Sequence, residues 1–338
     1  MRTFTTLAMA TVLVAGSTLT LAGPTGAAAT VDARWSGYSI DATPNAAGGW
    51  LGGRTIDTTR VYRIDPGAAT GVASAFAAPV KVATLAGRGP KSVSSRDTQR
   101  AAWIVAKFGT YKYNVQNAAV EVALDELLYG GVFAFTGTAT AARLRQTGDA
   151  AQIRSFVSDM LNDSAKYAGP YTVKITAPAG QVGVASSITV KVTSSSSSEP
   201  ISGLPVTLTY PGVAAKSADT KASGVASFTV TPTAGGPVPV SARVDLLPTS
   251  KLTVRTPTPS TASRVVEAGL KESATATVTQ SVKATPGLAL VSTRNPLQAG
   301  KVMAGTATVS AGYPQGRGLM LRVHGPFTTA TSTCDPAK

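Results

Sequence analysis

The chain has 338 residues, a formal net charge of +14, one histidine and one cysteine. This length is sufficient for two or three domains, each with its own hydrophobic core. One histidine and one cysteine exclude zinc sites built from His and Cys clusters, and we expect no cofactor. The basic residues are scattered singly, without a basic run or interleaved aromatic residues, so nucleic-acid binding is not expected.

Residues 1–29 have the pattern of a secretory signal peptide. Arg2 precedes an apolar run, Pro24 interrupts it, and three alanines at 27–29 provide a small-residue cleavage site. The run contains Thr and Ser and is short for a membrane span of ~20 residues. We therefore expect a mature protein that begins at Thr30, lies outside the cell or on the cell-wall surface, and has no membrane span.

Residues 30–168 are predicted to form an α+β domain with two or three packed helices. Alternating apolar and polar residues at 35–40 and 59–64 indicate strands. Helical periodicity, capping residues and terminal glycines then indicate three helices. They are expected at 97–108, 114–129 and 150–167.

The second predicted helix is apolar on nearly all sides, which is typical of a buried helix. Asn114 is expected to cap it, and only Asn117, Glu121 and Asp125, spaced by four, form a polar stripe. Glycosidases need two carboxylates ~5–10 Å apart on opposite sides of a sugar, which neighbouring positions of one helix do not provide. We interpret the stripe as a structural feature with basic partners nearby.

From residue 169 the apolar period becomes two and the composition shifts to Val, Thr, Ser, Gly and Pro. Short strands separated by turns predict an all-β, Ig-like β-sandwich at 169–256. Residues 257–263, with the sequence PTPSTAS, are predicted to be a linker. A second β module is predicted at 264–338. Its few strands do not close a sandwich, so we expect it to be truncated.

Three segments of the first domain resemble the Gram-positive Cys-Gln thioester domain of surface adhesins. They are YRID at 62–65, AAWIV at 101–105 and AAVEVAL at 118–124, similar in order and rough spacing to that family's motifs. The resemblance places Arg63 at the family's cysteine position and Glu121 at its glutamine position. A guanidinium and a carboxylate cannot form a thioester, so the resemblance implies a degenerate domain in which these residues form an ion pair.

Two later segments also resemble surface-protein modules. Residues 217–230 are similar to the turn and strand of bacterial Ig-like repeats. Residues 321–327 together with Cys334 resemble a β module of secreted actinobacterial proteins. That resemblance implies a disulfide for Cys334 whose partner is absent from this chain.

These features predict a secreted or cell-surface adhesion or scaffold protein, not an enzyme and without thioester chemistry. The N-terminal domain would bind a cell-wall polymer, a host glycan or a matrix protein, and the Ig-like modules would act as spacers. The alternative is a secreted hydrolase with an N-terminal catalytic domain and polymer-binding β-sandwich modules. A cleft with two opposed carboxylates in residues 30–167 would favour the hydrolase.

Overall fold

The computed structural model describes residues 31–42, 48–68, 75–258, 261–284, 287–292 and 305–309. The predicted signal peptide at 1–29 and Cys334 lie outside these ranges. Within them the chain is a mixed α/β protein with four α-helices and largely antiparallel sheets, as the α+β class predicts. No helix of the described ranges is both long and apolar enough to cross a membrane.

The first part of the chain contains five strands and four helices. The strands are β1 Val31–Ile40, β2 Gly49–Ile56, β3 Thr59–Arg63, β4 Ala75–Phe76 and β5 Val80–Val82. The helices are α1 Ser95–Phe108, α2 Asn114–Leu128, α3 Thr138–Arg145 and α4 Ala150–Tyr167, with a short 3-10 helix at Gly131–Phe133. The three predicted helices are present, and α3 is an addition that the sequence pattern did not indicate.

The later part of the described chain is almost entirely strand. Its first seven strands are β6 Tyr171–Thr176, β7 Gly180–Gln181, β8 Ser186–Ser194, β9 Pro205–Tyr210, β10 Val213–Asp219, β11 Val225–Val230 and β12 Gly236–Pro248. The remaining strands are β13 Leu252–Arg255, β14 Pro257–Thr258, β15 Val265–Glu267, β16 Lys271–Lys283, β17 Leu288–Ser292 and β18 Gly305–Val309.

A six-stranded sheet in the order β1-β2-β3-β15-β13-β5 packs against the helices. The shared core includes Leu51 of β2, Tyr62 of β3, Ile104 of α1, Leu124 of α2 and Met160 of α4. Helix α2 lies between the sheet and the other helices, so nearly every side of it is buried. The apolar character of this helix in the sequence is explained by this position.

Two arginines of α1 hold the C-terminal end of α4. Arg96 donates to the carbonyl of Ala165 at 2.7 Å, and Arg100 donates to the carbonyl of Leu161 at 2.9 Å. The carbonyl of Ala165 is one of the last four in the helix, which have no partner within it, so Arg96 satisfies a free acceptor. The carbonyl of Leu161 lies one turn earlier, where Arg100 adds a cationic donor near the partial negative charge of the helix end. These contacts hold the end of α4 against α1, just before the chain enters β6.

The next strands form two facing sheets over a second hydrophobic core. A five-stranded sheet has the order β10-β9-β12-β16-β7, and a three-stranded sheet has the order β11-β8-β6. Ile188 and Val190 of β8 meet Val206 of β9 and Val240 of β12 in this core. All pairs in these two sheets are antiparallel except the short β7–β16 pair. We call these two sheets the sheet pair.

The strand pairing differs from the division predicted at 257–263. The predicted linker contains β14, which pairs with β4, and β15 then inserts between β3 and β13 of the six-stranded sheet. β16 next pairs with β12 along most of its length in the sheet pair. The segment 264–283, expected in a separate module, is therefore part of the two units already described, because Val265 and Val266 bury completely between the strands on either side.

Candidate functional site

Helix α2 presents its polar stripe to the six-stranded sheet. The expected N-cap role of Asn114 is wrong: Tyr113 occupies the cap position without a side-chain bond. The side chain of Asn114 instead accepts hydrogen bonds from the Ser36 hydroxyl at 2.9 Å and the Gly37 amide at 3.0 Å. This anchors the start of α2 to β1 and sets the rotation of the helix against the sheet.

Arg63 at the end of β3 and Glu121 in the middle of α2 form a buried ion pair. The Nη2 and Nε atoms of Arg63 lie 2.8 and 3.2 Å from the same oxygen, Oε1 of Glu121. Arg63 is 7% exposed and Glu121 is fully buried. The other carboxylate oxygen accepts a hydrogen bond from the amide of Gly52 at 2.7 Å. The ion pair implied by the family resemblance is confirmed, and it connects β2, β3 and α2.

Arg143 of α3 is a second cation in the same site. Its Nη2 lies 2.9 Å from Oε1 of Glu121, and its Nη1 lies 3.1 Å from Oδ2 of Asp125. The guanidinium is almost completely buried, so it balances two carboxylates that water cannot reach. We call Arg63, Glu121, Asp125 and Arg143 the charge cluster.

The sequence analysis expected basic partners for the polar stripe but did not identify Arg143. One feature of the sequence could have indicated a further cation. Two acidic residues on a helix predicted to be buried need more than one positive charge to balance them. Arg143 and Arg145 stand in the last turn of α3, and only Arg143 is buried. Without the position of α3, the sequence offered no way to choose between them.

The two carboxylates of the charge cluster have opposite shifts in pKa. Burial alone would raise the pKa of Glu121, but Arg63, Arg143, the Gly52 amide and Arg54 together outweigh it and lower that pKa. Burial raises the pKa of Asp125 to about 7, because Arg143 only partly offsets burial and the charge of Glu121 adds to it. Among the residues that the structure describes, Oδ1 of Asp125 and Nε of Arg143 have no hydrogen-bond partner.

Asn117, the third member of the stripe, has a purely structural set of contacts. Its Oδ1 accepts from the hydroxyl of Tyr62, and its Nδ2 donates to the carbonyls of Tyr111 at 2.7 Å and Tyr113 at 2.8 Å. These bonds join β3 to the turn between α1 and α2. Burial, with the nearby charge of Glu121, raises the pKa of Tyr62, so its hydroxyl stays neutral.

The aspartate of the YRID segment holds the returning chain. Asp65 receives two parallel bonds from Arg264, with Nη2–Oδ1 at 2.8 Å and Nε–Oδ2 at 2.9 Å. The amide of Arg264 donates to the same carboxylate, and Ser263 accepts from the amide of Asp65. This fork-to-fork geometry is the strongest form of an Arg–carboxylate contact. It fixes the segment that leads into β15.

The side chains around the polar stripe of α2 pair charges with one another. The only cysteine of the sequence, Cys334, is outside the described ranges, so the described part of the domain supplies no thiol next to α2. In that part of the chain, no three His, Cys, Asp or Glu side chains are grouped to hold a metal ion. Glu121 and Asp125 are enclosed, with Arg63 and Arg143 as their partners.

Comparison with known proteins does not identify a family. No protein-family model matches the chain, and no curated protein matches it significantly.

Proposed function

We propose that this chain is a secreted or cell-surface adhesion or scaffold protein that binds its partner without a covalent bond. The observation that carries the proposal is the 2.8 Å contact between Arg63 and Glu121. These residues stand where the resembling thioester domain has its cysteine and glutamine. A salt bridge at these positions links strand to helix, as the crosslink would, but contains no electrophile for an amine to attack.

The surroundings of the pair support a retained scaffold. Glu121 receives Arg63, Arg143 and the Gly52 amide, so strands β2 and β3 and helices α2 and α3 all meet at one carboxylate. A buried charge with this many partners is costly to disturb, because removing one partner leaves another charge uncompensated. Such a centre fits a domain selected for a fixed shape.

The sheet pair supports the proposed spacer role. Two facing sheets with alternating buried and exposed residues, as along β8, are the architecture of Ig-like modules. We call the six-stranded sheet with helices α1 to α4 the helical unit. We propose that the sheet pair is Ig-like and that it presents the helical unit away from the cell surface. The partner would be a cell-wall polymer, a host glycan or a matrix protein.

The hydrolase alternative finds less support in the described residues. Glu121 and Asp125 lie on one helix, contact the same arginine and are fully buried. Carboxylates that cleave a glycosidic bond must approach the substrate from opposite sides. We therefore favour the adhesion or scaffold function.

Mass spectrometry and amine labelling test the absence of covalent chemistry. The chain from Thr30 onward should have the mass of its sequence, and incubation with methylamine should leave that mass unchanged. Loss of one ammonia, or a methylamine adduct, would contradict the proposal. Retention on cell-wall or matrix material should also be fully reversed by denaturant, whereas a covalent adhesin would stay attached.

A further inference from the structure

A cleft lies where the helical unit meets the sheet pair, away from the charge cluster. Its volume is about 550 Å³, within the roughly 300–1,000 Å³ range of small-molecule sites. Junctions between structural units are common places for such sites. The residues that matter for its chemistry are Trp103, Lys107, Asp163, Tyr167, Leu246 and Lys271.

Two lysines give one part of this cleft a positive charge. Lys271 donates to the carbonyl of Ala106 at 2.9 Å, which holds its ammonium in place. Burial and the neighbouring charge of Lys107 lower the pKa of Lys271. Among the described residues, no acidic side chain forms an ion pair with either lysine. A carboxylate placed between them would relieve their mutual repulsion.

Leu246 gives another part of the cleft an unusual apolar surface. It has a φ of 60°, in the left-handed region that a leucine rarely adopts, and it sits at an irregularity in β12 between Val244 and Leu247. The residue is 59% exposed although its side chain is large and apolar. Bulges commonly redirect a side chain toward a site, and backbone strain of this kind is concentrated at ligand-binding positions.

We propose that this cleft binds an acidic saccharide. The ligand's carboxylate lies near Lys107 and Lys271, its hydroxyl groups donate to Asp163, and its apolar ring face packs against Leu246 and Tyr167. The inference deepens the proposed noncovalent binding role and rests on it, since it names a ligand class and a place for it.

The mixture of groups in the cleft separates this ligand class from others. Asp163 would repel a ligand that is anionic over its whole surface, such as a polyphosphate. A purely apolar ligand would desolvate the charges of Lys107, Lys271 and Asp163 without offering them an opposite charge or a hydrogen bond. Each ring of an acidic saccharide carries one carboxylate at a fixed place apart from its hydroxyl groups, and the C–H face of the ring is apolar.

The first experiment titrates the chain from Thr30 onward with three probes at low salt, following amide signals by NMR. The probes are α-1,4-digalacturonate, the neutral disaccharide galactobiose and inorganic phosphate. We expect saturable shifts near Leu246 and Lys271 with digalacturonate, with a Kd of about 1 mM or tighter, and binding at least tenfold weaker for the other probes. No saturation by about 10 mM, or equal binding of galactobiose or phosphate, would overturn the proposal.

Variants then separate a binding role from a structural one. Lys107→Ala should weaken digalacturonate binding about fivefold to tenfold, while Lys174→Ala, an exposed lysine of β6, should leave it unchanged. Leu246→Gly removes the strained side chain, so the melting temperature should stay the same or rise while affinity falls. Unchanged affinity in Lys107→Ala and Leu246→Gly would overturn the site. None of these outcomes alters the amine-labelling test of the noncovalent function.

Discussion

Arg143 of α3 and Asp125 of α2 form a one-sided contact within the charge cluster. Nη1 of Arg143 lies 3.1 Å from Oδ2 of Asp125, while Oδ1 of Asp125 and Nε of Arg143 have no hydrogen-bond partner in the described part of the chain. The same arginine also serves Glu121, which has two further donors. Asp125 is therefore the less well compensated of the two buried acids, and this asymmetry determines how the fold should respond to pH and to substitution.

Asp125 should make the folded state less stable as pH rises. Its pKa goes from the ordinary 3.8 to about 7 on folding, so the folded state binds more protons than the unfolded state between these values. The free energy of unfolding contributed by Asp125 is therefore lost between about pH 4 and 7, by on the order of 3 kcal/mol. Glu121, whose pKa is lowered, contributes in the opposite direction.

The variant Asp125→Asn isolates this effect. Urea unfolding of the two proteins at several pH values should show the wild type losing stability relative to Asp125→Asn from pH 4 to pH 7. Titrations common to both proteins cancel in the difference. A difference in unfolding free energy that does not change over this range would contradict the raised pKa.

Removal of Arg143 should strongly destabilise the fold. In Arg143→Ala, Asp125 loses the arginine that donates to it, while Glu121 retains its hydrogen bonds from Arg63 and the Gly52 amide. Breaking a buried pair in this way costs about 3–5 kcal/mol. Arg145→Ala is the matched control, because Arg145 lies on the same helix, is exposed, and should change stability by about 0.5 kcal/mol or less. Urea unfolding near pH 7.5 measures the unfolding free energy of both variants. Equal losses in Arg143→Ala and Arg145→Ala would mean that Arg143 does not form buried ion pairs.

The sequence predicted much of the helical unit because its signals are local. α1 has a capping box at Ser94 and a C-cap at Gly109, and it begins two residues before the predicted 97–108. α4 has an apolar face along its length and the predicted bounds of 150–167. α3 has eight residues and no side-chain cap, and its small residues give little periodicity. Arg143 was missed with it. The resemblance led to the Arg63–Glu121 contact, which spacing alone could not have given.

Local sequence patterns could not predict that the chain returns to the six-stranded sheet at β15. Prolines and small polar residues at 257–263 are typical of linkers, and nothing in them indicates a partner nearly two hundred residues earlier. The pairing depends on Asp65 and Arg264, which lie 199 positions apart, and on short strands that many registers could accommodate. These non-local contacts determine which sheet each strand after residue 257 joins, and no local pattern in the sequence indicates them.

The Arg63–Glu121 pair should show energetic coupling in a double-mutant cycle. With Arg63→Ala, Glu121→Ala and the double variant, we expect a coupling free energy of about 2–3 kcal/mol, because both side chains are buried. The exposed pair Arg243–Asp245 is the control, with an expected coupling below about 1 kcal/mol. Urea unfolding measures all of these variants. If the losses in unfolding free energy of Arg63→Ala and Glu121→Ala simply add in the double variant, the ion pair does not take the structural place of the crosslink.

The contact between Arg264 and Asp65 should control the docking of β15 onto β3. In Arg264→Ala, Asp65 loses its two-pronged partner in a buried site and keeps a single long contact with Arg88, whose Nη1 lies 3.5 Å from Oδ2 of Asp65. We expect faster hydrogen exchange at Val265 and Val266, and a loss of about 3 kcal/mol or more in unfolding free energy.

The conservative variant Arg264→Lys distinguishes geometry from charge at this contact. A lysine keeps the positive charge but cannot make the parallel bonds to Oδ1 and Oδ2 of Asp65, so it should recover only a minor part of the lost protection. Lys251→Ala, an exposed lysine next to β13, should leave the exchange of β15 unchanged. Full recovery in Arg264→Lys would mean that charge alone holds the returning segment. Unchanged exchange in Arg264→Ala would mean that the burial of Val265 and Val266 is sufficient to dock β15.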